Sequence, residues 1–177
     1  MQRTVRDVDR TIKGMDKEYD ANFGEWVRSE ENVDVIAMNL RKYLAEYAEA
    51  TFSEVLKWIT EEWAVSSKIL LLHKIFGKQL FRDNSALEMK SSRRNVRIMK
   101  GIIDEWGPGN ISELIIEFLT GMQKEEKKLF LLWALEDFEH EKLTEIFIRI
   151  DTIVDWSLKI SIIKKSKVLE GAKERRV

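Results

Sequence analysis

The chain of 177 residues has no cysteine, one proline, eight glycines and two histidines. The missing cysteine excludes a disulfide-stapled scaffold, thiol redox chemistry, cysteine proteases and thiolate zinc sites. No apolar run reaches the roughly 18 residues of a membrane span. Arg3, Arg6, Asp7, Asp9 and Arg10 alternate without the apolar core of a signal peptide. A net charge of −1 lacks the excess of either sign that marks a globally basic nucleic-acid binder or an acidic solvating protein. These absences lead us to expect a soluble, cytoplasmic protein. Asn and Gln are also scarce beside a 34% charged fraction, a thermophile-like composition against which six methionines weigh.

Hydrophobic residues make up 44% of the chain. A chain of this size buries about 70% of its unfolded surface, enough for one core. Strand signals are missing, since no alternating β-branched run is bounded by turn pairs. Helical periodicity is pervasive. Val5, Val8, Ile12, Met15 and Tyr19 form one stripe, and Val33, Ile36, Ala37, Leu40, Leu44 and Tyr47 a second. Short polar residues followed three positions later by Glu predict helix starts at Thr51, Ser85 and Asn110. A further helix is expected from a break at Ser66 and Ser67, with Ile69, Leu72, Phe76 and Leu80 inward. Gly107, Pro108 and Gly109 read as a turn, and Gly121 as a left-handed helix terminator.

From Met122 to Glu170 there is neither Gly nor Pro. One helix there would be about 70 Å long, against a radius of gyration of about 16 Å. Breaks are therefore expected near Phe138 to Glu141 and near Ser157. Leu129 to Leu135 is apolar all round, which predicts a central buried helix. The expectation is an all-α fold: one domain over 1–177 with seven to nine mostly antiparallel helices, an irregular bundle or a short stack of helix pairs. The basic stretch 164–177 is a candidate protruding tail.

Catalytic patterns are absent: no nucleophile elbow, no Walker loop, no dinucleotide fingerprint. No motif implies a cofactor. His73 lies on an apolar stripe without a second ligand at helical spacing, so it reads as a core histidine. Asp137 and His140, three apart, form half of the pattern that holds two irons in ferritin-like bundles, but with Asp for Glu and no second pair. They are weak metal candidates, and an acidic helix surface is the plainer reading. Of six tryptophans, Trp58, Trp63, Trp106 and Trp133 fall on or beside apolar stripes and are expected in the core, whereas Trp26 falls in a predicted loop and Trp156 near a predicted break, and these two are candidate partner anchors.

Charge segregation is the strongest signal. Ser66 to Lys100 carries nine basic residues against two acidic, a net of +7, and Lys159 to the C-terminus is +5. Asp16 to Glu62 and Asp104 to Glu145 are each −7. Lys90, Arg93, Arg94, Arg97 and Lys100, with Lys164, Lys165 and Lys167, are therefore candidate phosphate contacts, and Ser91, Ser92 and Asn95 candidate hydrogen-bond donors beside them. The alternative is that basic and acidic helices lie side by side and neutralise one another. The leading functional expectation is a non-catalytic binding or adaptor protein, acting on a protein partner or on itself. A nucleic-acid-binding accessory protein comes second, and a carboxylate-bridged metal enzyme a distant third.

Overall fold

The computed structural model describes residues 28–44, 47–77, 80–81, 86–155 and 157–164. The first stripe, Ser85, Trp26, Trp156, Lys165 and Lys167 lie outside them. The fold is all-α, with eight α-helices and no strand among the described residues. No helix among them is long and apolar enough to cross a membrane. The chain separates into two compact units, Met1–Leu80 and Phe81–Val177.

In the first unit a 3-10 turn, Glu30–Asn32, runs into α1 (Val33–Tyr43), followed by α2 (Glu49–Ile59) and α3 (Val65–Leu72). The second stripe behaves as its spacing predicts, with Ile36, Ala37, Leu40 and Leu44 all buried. α1 packs on α3 and on the segment that follows it, where Leu71, Leu72, Ile75 and Phe76 are buried, as are Phe52, Leu56 and Ile59 of α2. Phe52 and Phe76 meet edge to face at 6.3 Å, and each buried ring of this kind contributes about 1.5–3 kcal/mol. Beyond α3 the helix widens into a π-helical turn, His73–Gly77.

Helix starts differ from expectation. Thr51 is the third residue of α2, which begins after Ala48. The break before α3 falls at Thr60 to Ala64, and Ser66 and Ser67 lie in its first turn. Ala64 has no side chain to cap α3, and the cap comes from elsewhere in the chain. The Glu30 carboxylate accepts the Ala64 N–H at 2.8 Å and the Ser67 hydroxyl at 2.6 Å. Trp63 is buried and donates its indole N–H to the Arg28 carbonyl. Trp58 is half-buried, with the Arg28 guanidinium 5.6 Å over its ring.

The second unit contains α4 (Ala86–Ile103), α5 (Pro108–Leu119), α6 (Lys124–Ala134), α7 (His140–Arg149) and α8 (157–164). α4 packs on α6, and α5 on α7. Pro108 opens α5 instead of forming a turn, and Asn110 sits inside the helix. Proline is suited to the first helical position, where its missing N–H costs nothing. Gly121 adopts φ +83° just past α5, as expected of a left-handed terminator. The 122–170 stretch breaks at Leu135 to Glu139 and again before 157. The first break turns on Asp137, a non-glycine residue at φ 66°.

α6 is not buried all round. Phe130, Leu131, Ala134 and Leu135 are in the core, whereas Leu129, Leu132 and Trp133 are half-buried. Phe130 stacks on Phe118 at 5.6 Å, and Trp133 on Phe81 at 5.9 Å. Trp106, expected in the core, is also half-buried. In α8 the buried face includes Lys159, only 1% exposed and ion-paired with Asp151.

Candidate nucleic-acid interface

α4 is built by a strict division of faces. Val96, Met99, Ile102 and Ile103 are buried, as the spacing predicts, and with Ile98 they fix the helix against its unit. The opposite face carries Lys90, Arg93 and Arg97, all exposed, at steps of three and four. Residues so spaced lie one above another on a helix. From 90 to 97 the rise is about 10 Å. At 3.4 Å of axial rise per phosphate on one strand, that length spans about three phosphates. None of the three cations has an ion pair or hydrogen bond to another described residue. Among the described residues, no acidic side chain neutralises these three.

The other expected members of the patch divide. Ser91 is exposed beside the stripe, and Arg94 is half-buried at its edge with partners within the chain. Lys100 is turned inward: it bonds Asp104 at 3.1 Å and lies 5.4 Å over the Phe138 ring. The same ring carries Lys142 at 4.6 Å. Ser92 and Asn95 are buried and do not face solvent, which corrects their expected role as phosphate donors. Ser92 Oγ instead accepts the Phe81 N–H at 3.3 Å. Lys164 is exposed at the end of α8.

The metal candidates fare worse. His140 is the first residue of α7, and Asp137 is exposed in the turn before it. Among the described residues no group of three His, Asp or Glu side chains is placed to hold a metal ion. His73 is half-buried at the start of the π-turn, its ring packed against Gly77.

Sequence reasoning missed two features. A groove of about 440 Å³ runs between the first turn of α6 and the 153–161 segment, lined by Lys124, Lys128, Ile153, Val154, Leu158 and Ser161 among others. Lys124 pairs with Asp155 across its lining at 3.2 Å. The buried Lys159 was the other. Both depend on residues brought together by the turn after α7, and no local pattern signals that. Comparison of the chain with family models, curated proteins and solved structures gives no match.

Proposed function

We propose that this chain is a non-catalytic helical binding protein, and that α4 presents its polyanion-binding face, with the phosphate backbone of a nucleic acid as ligand. One observation carries the reading: Lys90, Arg93 and Arg97 stand in a row on a solvent-exposed helix face with no acidic partner among the described residues. A packed helix holds the backbone positions of the three cations at fixed spacing, and their contact with phosphates displaces condensed counterions. Such contacts position a nucleic acid without reading its sequence. The adaptor reading adds a protein partner or a second copy of the chain on other helix faces.

Three contacts give a log–log salt slope of about −2.7 for duplex and about −2 for single strands. The inward-turned Lys100 lowers this from the value of −3 to −4 expected for a four-residue cluster. Titrations of the purified chain with duplex and single-stranded DNA and RNA at several salt concentrations test it. Replacing Lys90, Arg93 and Arg97 together by Gln should flatten the slope by about 2 to 3 units, and Lys100→Gln should leave it unchanged. Absence of binding at low salt, or equal binding by the triple variant, refutes the reading.

A further inference from the structure

The outer face of α1 carries a second pattern. Its inner face is the buried row Ile36, Ala37 and Leu40. Its outer face is Glu31, Val35, Met38 and Lys42, at steps of four, three and four, and all four are exposed. Glu31 belongs to the 3-10 turn that runs into the helix. At 100° per residue the four side chains fall within an arc of about 60°. Steps of four and three repeat as the seam of a coiled coil. Met38 is 51% exposed and Val35 37%, and both are unusual occupants of a solvated face. α3, which packs against α1, adds Leu70 at 44% exposure. Neither Glu31 nor Lys42 has an ion pair with another described residue.

Read in chain order, the row is acid, apolar, apolar, base. Reversed, it is its own complement. A two-fold axis midway between Val35 and Met38 sets Val35 of one copy on Met38 of the other, and Glu31 of each on Lys42 of the other. A two-fold interface requires this reciprocity, in which residue i meets j and j meets i. Parallel pairing would oppose Glu31 to Glu31 and Lys42 to Lys42, so the charges select the antiparallel arrangement.

We infer that α1 is the self-association face of this protein and that its occupant is α1 of a second copy, antiparallel. The inference deepens the binding-protein reading above and rests on it, but it is independent of the α4 stripe. Two or three exposed apolar side chains per copy make a contact below the roughly 1,200 Å² of standard interfaces, so the dimer is weak. The apolar pair supplies the attraction. Exposed charge pairs contribute little energy and fix the orientation.

Sedimentation velocity on the full chain, free of nucleic acid, tests this from roughly 10 μM to 1 mM, the range in which a weak dimer populates. The expected result is a mass that rises with concentration toward twice 20.9 kDa. Met38→Glu should raise the dissociation constant about tenfold or more by opposing charge to an apolar contact. Glu31→Lys should weaken pairing several-fold, and Glu31→Lys with Lys42→Glu should restore it to within about twofold, because the row is then simply reversed. Circular dichroism checks that each variant keeps its helices. If Met38→Glu loses them, the charge-reversal pair still decides. A monomer throughout the range, an indifferent Met38→Glu, or a doubly reversed variant no better than Glu31→Lys overturns the inference. A dimer without nucleic-acid binding removes only the α4 reading, and nucleic-acid binding by a strict monomer removes only the dimer.

Discussion

Replacing Gly77 by alanine sets two opposite effects against each other at the end of the π-turn. Alanine is favoured over glycine in a helical interior by up to about 1 kcal/mol, because glycine loses more backbone freedom on folding. A Cβ at this position, however, would stand 2.9 Å from two atoms of the His73 ring and 3.3 Å from a third. Ordinary contact begins near 3.4 Å, so the imidazole must retreat by several tenths of an ångström. Overpacking of this order costs about 1–3 kcal/mol. The ring is only half-buried, which sets the cost toward the lower end. Gly77→Ala alone should therefore destabilise the protein by about 0–2 kcal/mol. In a His73→Ala background the obstacle is gone, and the same substitution should stabilise by about 0.5–1 kcal/mol. The test is a double-mutant cycle by urea denaturation, followed by far-ultraviolet circular dichroism. Its interaction term cancels whatever His73→Ala costs by itself. A coupling below about 0.5 kcal/mol, the level of independent sites, would refute the claim that the glycine exists to seat the imidazole.

Two further expectations concern charge. Lys159 is buried and Asp151 half-exposed; Asp151→Ala should cost about 1–3 kcal/mol, below the 3–5 of a fully buried pair, whereas Lys159→Met should lie within about 1 kcal/mol of wild type or above it. Thermal denaturation ranks the two, and the reverse order refutes the account. Glu30 has its pKa lowered below 4.5, first by the Ser67 hydroxyl and then by the Ala64 N–H, with Lys68 adding a smaller share. A depressed carboxyl contributes its stability in full above the unfolded value and loses it as pH falls through the folded one. Relative to Glu30→Gln, the wild type should therefore lose stability more steeply below pH 4.5, and parallel pH profiles would contradict the cap.

Much of the architecture is written in apolar spacing. Ile36, Ala37, Leu40 and Leu44 point inward because steps of one, three and four return to one face of a helix, and the same arithmetic fixes Val96, Met99 and Ile103. Gly121 and the two breaks after Met122 follow from backbone freedom and chain length. Helix beginnings are less legible because a cap can be built in several ways. Thr51 and Asn110 have the right chemistry three residues before a Glu, yet both lie inside helices. The reciprocal arrangement occurs instead at Gln123, whose N–H is accepted by Glu126 at 2.7 Å. α6 shows a different limit: an all-apolar stretch looks identical to periodicity whether one face or both are covered. The α4 stripe was legible as charge, but the withdrawal of Lys100 was not, because Phe138 lies 38 residues away and only the tertiary fold sets the ring beneath the ammonium. Lys159 was illegible for the same reason, since a lysine is buried only where a partner awaits it.

The cap that Glu30 supplies to α3 has a kinetic consequence. α3 is eight residues long, too short to persist alone, since helices under about 12 residues are marginal in water. Its first turn is completed by a carboxylate 34 residues upstream, so α3 gains its full start only once the chain has closed a loop around α2. Closing a loop of that size costs entropy before any contact repays it. α1 and α2, at 11 residues each, are also marginal alone, but the start of α3 is the one completed by a carboxylate more than 30 residues away among the described contacts. The completion of α3 is thus tied to one side chain at the entrance to α1, 34 residues upstream of the backbone group it caps.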